Sequence, residues 1–349
     1  MPNIDISKLI PGQVIKEDIY TTRNQLVICK NTIATEHIIQ RLQHFDIKQI
    51  PIYDKNENVI NLEESTKIFK ENYKNIENKL SSFLNNLIKK EYSNIQIDEI
   101  INETIALYNS QSSILMLIKM MQQMEQNDII FAHSINVGIL GMLIGKWCHF
   151  SEDDCKLILQ CGIFHDIGKL LLPKNILNKN GKLTINEYAQ VKSHTVEGYK
   201  LLKSLELNPE ISNAALLHHE RINGSGYPLQ LSGTQIDKFS KLSKIIAIAD
   251  TYDAMTSKRI YRDAICPFKV FSEFERNGIE LYEPEYLISF LKNIVNSYLN
   301  EDVLLSNGQQ GKIIMINNTS LGRPVIKSNN DFIDLARYRE NELSIIEIL

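Results

Sequence analysis

Five of the eight histidines in this 349-residue chain, His133, His165, His194, His218 and His219, stand between positions 133 and 219 where a metal ligand could be. Two aspartates accompany them, Asp166 directly after His165 and Asp250 downstream. Imidazole nitrogens and carboxylate oxygens are ligands for borderline divalent cations. Seven such donors exceed what one tetrahedral ion takes, whereas two ions sharing a bridging carboxylate use them all. The chemistry this set points to is metal-assisted hydrolysis.

The densest local run is 165–169 (HDIGK). Read as helix, it projects His165 and Asp166 about 100° apart, which suits an imidazole serving one ion and a carboxylate bridging two. Lys169, at i+4 from His165, returns to the same face. An ammonium there would hold a phosphate oxygen and neutralise charge developing at phosphorus, although the three residues are equally compatible with an ordinary surface trio. At 218–228 the sequence is HHERINGSGYP. His218 and His219 end a helix, and Gly224, Gly226 and Pro228 impose an irregular loop whose Tyr227 either lines a ligand pocket or anchors the loop. Asp250 closes the apolar helical run IIAIAD; beyond it Arg259 and Arg262, at i and i+3, form a cationic clamp for a second phosphate or pair with Asp253 and Asp263. His37, His44 and His149 have no partner pattern and read as structural or solvated.

The elements that position these donors follow from their spacing. His133 to His165 is 32 residues, Asp166 to His194 is 28, and His219 to Asp250 is 31. Each interval is one medium helix plus a connection, so successive donors come from successive helices and meet inside a bundle. Helical periodicity runs from Glu63 to about Asn300, with a capping box at Thr184–Glu187, an N-cap and N1 proline at Asn208–Pro209, and an acidic first turn after Ser151. Before it, 13–20, 26–30 and 48–53 look like strands around a helix at Thr35–Phe45, and polar residues 54–62 mark a boundary. After Glu301, short apolar stretches at 302–305, 311–316, 324–327, 331–335 and 344–348 give three to five strands. The expected fold is mainly α, a central all-helical bundle with a small N-terminal α+β module and a small C-terminal β module. The expected divisions are 1–58, a helical connector at 59–125, 126–300 and 301–349. Within the connector, Ile68, Phe69, Tyr73, Ile76, Leu80 and Phe83 form an apolar face, leaving open a homodimer coil or packing within the chain.

Composition excludes several alternatives. A net charge of −4 provides no polybasic stripe for duplex nucleic acid. The most apolar run, Ile135–Ile144, is too short to cross a bilayer and reads as a core helix, so no membrane partner is expected. Five cysteines without a CxxC pair argue against a disulfide framework or a zinc knuckle. With no basic start followed by an apolar segment, the expected location is the cytoplasm.

From about Ile130 to Ala264 the sequence resembles the HD-GYP family of cyclic-dinucleotide phosphodiesterases, a branch of the HD phosphohydrolases. The resemblance rests on His133, the HDIGK run, LNKNGKLT at 177–184, His194, HHE with GSGYP, and Asp250 followed by SKRIYR. It implies two divalent ions, commonly iron or manganese, although the donor types suit zinc as well. One would be held by His133, His165, Asp166 and Asp250, the other by His194, His218 and His219 with Asp166 shared. A bridging hydroxide would attack phosphorus in line and expel the 3′ oxygen of cyclic di-GMP, giving linear pGpG, which a second cut would take to GMP. The same resemblance gives Lys169, Tyr227, Arg259 and Arg262 contacts to the nucleotide. Two positions depart from the family pattern. Ile129 stands where some members carry a glutamate for a third metal, which implies a two-metal site. Asn223 stands where the family loop usually has aspartate, which puts loop packing or substrate fit in question. Hydrolysis of another nucleotide, such as 3′3′-cyclic GMP-AMP, and non-catalytic nucleotide binding are the competing readings.

Overall fold

The computed structural model describes residues 3–349 apart from 12, 14, 18, 22–25, 29–33, 35, 46, 53–61, 90–93, 112–113, 125–128, 178, 180, 206, 233–234, 236–239, 259–262 and 330. The chain opens with β1 (Asn3–Asp5), β2 (Ile19–Tyr20), β3 (Leu26–Ile28), α1 (Glu36–His44) and β4 (Gln49–Pro51). β1 pairs with β4 and β2 with β3, both antiparallel. Ile15, Leu42 and Ile50 are fully buried in a small core of residues 9–52 that is separate from the main one. Among the described residues of the expected strand at 13–20, Ile19–Tyr20 form β2 and Ile15 bridges Ile52, and β1 has too few residues to register as alternation.

The helical body follows: α2 (Leu62–Ile88), α3 (Asn94–Asn109), α4 (Ile114–Gln123), α5 (Ile129–Trp147), α6 (Glu152–Phe164), α7 (Lys174–Leu177), α8 (Ile185–Lys192), α9 (His194–Lys203), α10 (Pro209–Leu217), α11 (Lys241–Thr256), α12 (Pro267–Glu273), α13 (Ile279–Leu281) and α14 (Pro284–Ser297). The start signals read from the sequence are present. Ser151 accepts from the Asp154 N–H, Thr184 and Glu187 form both arms of a capping box, and the Asn208 side chain accepts from the Glu210 N–H ahead of Pro209. On α2, Phe69, Tyr73, Ile76, Leu80 and Phe83 are buried within the chain, while Ile68 is exposed.

α5 is the hub, packed by α6, α11, α14, α2 and α3. Its apolar stretch extends past the ten residues read from the sequence. The window Ile130–Trp147 is long and apolar enough by composition to cross a membrane, but 83% of it is buried inside the protein. Burial, not shortness, makes it a core helix. Two glycine contacts set how tightly the bundle closes around its donors. A Cβ on Gly162 of α6 would lie 2.5 Å from the Gly138 Cα of α5, so the two backbones touch. A Cβ on Gly168 would lie 1.9 Å from the His194 carbonyl oxygen and 2.7 Å from the Gly198 nitrogen, so the turn after α6 sits directly on the start of α9.

The chain ends in a five-stranded antiparallel sheet of order β8-β7-β6-β5-β9, formed by β5 (Asp302–Leu305), β6 (Gln310–Met315), β7 (Val325–Ser328), β8 (Asp331–Asp334) and β9 (Ile345–Ile348). The Glu275 carboxylate fastens it to the helices by accepting the Leu321 and Gly322 N–H groups at 2.5 and 2.9 Å. The mainly α class with small flanking modules is what the sequence led to.

Candidate metal centre

The expected donors converge from five helices. His133 comes from α5; His165 and Asp166 follow the end of α6; His194 is the first residue of α9; His218 and His219 follow α10; Asp250 comes from α11. His133, His165, Asp166, His194, His218 and Asp250 are all buried, and His219 is partly exposed. Asp166 is the centre. Its Oδ2 lies 3.7 Å from His133 Nε2 and 3.3 Å from His165 Nε2; its Oδ1 lies 3.2 Å from His194 Nε2 and 3.6 Å from His218 Nε2. Two donor groups therefore meet at one carboxylate: His133 and His165 on one oxygen, His194, His218 and His219 toward the other. Asp250 stands against both, with Oδ1 3.0 Å from His133 Nε2 and Oδ2 3.7 Å from His219 Nδ1.

What fixes the imidazoles also fixes which nitrogen faces inward. The Nδ1 atoms of His165, His194 and His218 sit on the backbone carbonyls of Gly162, Val191 and Ala214 at 2.6, 2.6 and 3.0 Å. A carbonyl only accepts, so each Nδ1 carries a proton, and in the neutral ring each Nε2 then presents a lone pair to the centre. His194 and His218 then face one another Nε2 to Nε2 at 3.2 Å, a repulsive contact unless a cation lies between them. His165 Nε2 and Asp166 Oδ1 are buried with no hydrogen-bond partner. Leaving such atoms unsatisfied is costly, and ligation is what satisfies them. The donor set fits divalent cations.

The electrostatics agree. Burial would raise the Asp166 carboxyl, but the Lys169 ammonium and His165 hold it well below the usual carboxylate range. Burial works equally against charge on Asp250, and there the hydrogen bond from His133 with the nearby His219 keeps it low. Burial pushes His218 down to about 4 despite Asp166, and burial with His218 alongside pushes His219 down as well. Those two imidazoles are neutral at neutral pH, the form in which an imidazole can bind a cation. His133 is the exception, for although burial lowers it, the Asp250 and Asp253 carboxylates carry it up to about 9.

One local expectation needs correcting. The HDIGK run is not continuous helix: α6 ends at Phe164, Asp166 has φ −102° and ψ 8°, and residues 167–171 form a 3-10 turn. Three residues per turn bring i and i+3 into line, so the Lys169 ammonium pairs with Asp166 and not with the face of His165. Tyr227 lies over the rim, its ring 4.5 Å from that of His219 and inclined 30°. Asn223 is exposed, and its side-chain oxygen accepts from the Ser225 N–H at 3.0 Å, so the loop keeps a local turn without the aspartate. Arg259 and Arg262 lie outside the described residues. Asp253, the other reading for their partner, is engaged elsewhere.

Three residues escaped the sequence reading. Asp253 accepts from His133 Nδ1 at 2.6 Å and fixes that ring; its i+3 spacing from Asp250 on one helix was the available signal. Glu220 is fully buried and collects the N–H groups of Leu229, Gln230 and Leu231 at 2.6, 3.0 and 3.1 Å, folding the loop that carries Tyr227 back over His219. The Lys192 ammonium lies 5.2 Å from the Tyr188 ring centre and 5.8 Å from that of Tyr227. No sequence pattern marked it.

Residues 144–285 match the family model described as HD domain. That segment is similar to HD domains. His133 precedes the matched segment, while the other six expected donors fall within it. A cyclic di-GMP phosphodiesterase of Pseudomonas aeruginosa is 30% identical over 213 residues, which is 60% of this chain and 50% of that protein. A cyclic di-GMP phosphodiesterase of Thermotoga maritima is 39% identical over 46% of this chain and 43% of its own length. A 3′3′-cGAMP-specific phosphodiesterase of Vibrio cholerae is 36% identical over 40% of this chain and 32% of its own. The chain thus spans half or less of the length of these curated relatives. Among solved structures, a HDG"Y"P protein of Bdellovibrio bacteriovorus matches 84% of this chain and 98% of its own with a TM-score of 0.51 at 14% identity, a likeness of fold. The HD-domain match and these relatives bear out the family resemblance read from the motifs.

Proposed function

We propose that the chain is a metal-dependent phosphodiesterase that hydrolyses cyclic di-GMP to linear pGpG at a centre of two divalent ions, iron or manganese. The observation that carries this is the convergence of imidazole lone pairs on one doubly faced carboxylate, with His194 and His218 nitrogens 3.2 Å apart and no proton to share. The His133 side consists of His133, His165, Asp166 and Asp250; the His219 side consists of His194, His218 and His219 with Asp166 in common. Bound there, the cations would supply a water nucleophile of lowered pKa and charge neutralisation at phosphorus.

The remaining work falls to the chain. Asp166 and Asp250 stay ionised despite burial and give the site the negative charge that cations require. Lys169 balances Asp166 and is 21% exposed, within reach of an entering phosphate oxygen. Tyr227 walls the opening beside His219, and Lys192 adds a second cation at that rim. Arg259 and Arg262 are assigned to phosphate contact by the family resemblance. Burial of the donors strengthens each of these charge interactions over its value in water. On this reading the domains divide at 1–58, 59–125, 126–300 and 301–349.

Relatives named as 3′3′-cGAMP-specific keep a second reading open, in which the same centre cuts that dinucleotide. A nucleotide receptor without turnover fits less well, because every expected donor is present. The test is anaerobic purification, measurement of iron, manganese and zinc, and chromatography of several cyclic dinucleotides, with Asp166→Ala as control. Linear product that disappears in Asp166→Ala supports the proposal. Tight binding without product, or turnover that survives the substitution, contradicts it.

A further inference from the structure

Behind His133 runs a buried polar chain that leaves the metal centre and reaches the connector helix. Asp253 Oδ2 accepts from His133 Nδ1 at 2.6 Å, and Asp253 Oδ1 accepts from Asn136 Nδ2 at 2.9 Å. Asn136 Oδ1 accepts from the Tyr73 hydroxyl at 2.8 Å, which also lies 3.1 Å from the Ala132 carbonyl oxygen. Tyr73 and Asn136 are 0% exposed, Asp253 3% and His133 4%. Three direct hydrogen bonds thus link α2, α5 and α11 to one imidazole.

Tyr73 is the anomalous member. Its neighbours Phe69, Ile76, Leu80 and Phe83 on α2 are apolar, while the buried Glu77 one turn on pairs with Lys74, and a phenylalanine at 73 would serve the apolar packing. A buried hydroxyl is costly without a partner, and this one is spent on orienting the Asn136 amide. With its oxygen fixed by Tyr73, Asn136 must point its NH2 at Asp253. α2 is also where the small N-terminal core joins the helical body, since the two cores are separate and α2 is the first helix of the larger one.

We infer that Tyr73 is a positioning residue which, through Asn136 and Asp253, holds the His133 imidazole in the orientation its ion requires, so that the fit of the His133 side depends on the placement of α2. The inference rests on the two-ion reading above. It gives the connector helix a direct path to the centre: a shift of α2 that separates Tyr73 from Asn136 loosens one ion and leaves the other.

The test uses the full chain and manganese(II) as probe, with stepwise affinities measured by calorimetry for wild type, Tyr73→Phe and the control Tyr298→Phe. Tyr298 is an equally buried tyrosine whose hydroxyl lies 3.4 Å from Tyr252. Tyr73→Phe is expected to weaken one of the two ions about 10-fold, the lower end for residues that orient a metal ligand, and to leave the other unchanged; Tyr298→Phe should change neither. Asn136→Ser breaks the same chain one bond later and should produce the same one-ion loss. Adding Tyr73→Phe to Asp253→Asn should cause no further weakening. A Tyr73→Phe protein that binds both ions as wild type does, even with a lower melting temperature, overturns the inference, as does an equal loss in Tyr298→Phe. Wild-type protein that takes up no ion overturns the two-ion reading and this inference with it.

Discussion

The two sides of the centre are built differently behind the donors. On the His133 side, one imidazole is backed by the Asp253 carboxylate and faces Asp250, and it holds a proton up to a pKa of about 9. On the His219 side, His194 and His218 are backed by backbone carbonyls, His218 is pushed down to about 4, and His219 opens toward Tyr227. Without metal, the first side stores a proton between carboxylates where the second stores only lone pairs. On the proposed two-ion reading, a cation must displace that proton on the first side and not on the second, so uptake on the first side is the more pH-dependent.

The largest effect should come from breaking the contact that carries the His219 side. Gly168→Ala places a methyl 1.9 Å from the His194 carbonyl oxygen, and backbone cannot yield as a flexible side chain does. Loss of about 1–3 kcal/mol of stability is expected from such overpacking, with near-complete loss of turnover and retention of one ion, read by melting and metal analysis. Retention of both ions would show that the sides are not separable. Asp253→Asn attacks the other side. Its affinity for one ion should fall about 10- to 100-fold, with the second ion unaffected in a manganese titration; equal weakening of both would erase the contrast.

The proton stored on His133 provides a sharper comparison. In metal-free protein its raised pKa contributes stability that is complete below about 6.5 and lost as pH rises through about 9. His218 is lowered, so its contribution is present above about 6.5 and lost as pH falls toward about 4. Melting temperatures of the chelated protein should decline on both flanks, and metal uptake between those two His133 values should release a proton, detectable by calorimetry in buffers of different ionisation enthalpy. A flat profile would place no stored proton at His133. The smallest effect belongs to the rim: Lys192→Met should raise KM for a cyclic dinucleotide about 5-fold, the equivalent of about 1 kcal/mol for one half-buried cation contact, with kcat unchanged. A kcat loss in that variant would move Lys192 from the rim to the reaction.

The sequence exposed the donors more fully than the devices that aim them. Spacings of about one helix between donors, and caps such as Thr184 and Asn208, translate directly into helices that meet, because capping and periodicity are local. Nothing in HDIGK announces that hydrogen bonding changes from i−4 to i−3 across 165–171; the close seat on Gly198 imposes it. Asp253, Glu220 and Tyr73 act through partners 120, 9 to 11 and 63 residues away. Such pairings become visible only after the helices are packed. The apolar run understates α5 for a related reason, since His133 and Lys146 bound the run but not the helix.

The most direct test of the shared-carboxylate centre is a crystal structure of the manganese-loaded protein with anomalous scattering. Two ions are expected roughly 3.5–4 Å apart, both touching Asp166, one beside His133 and His165 and the other beside His194, His218 and His219. A single ion, or two ions that do not share Asp166, would contradict the account.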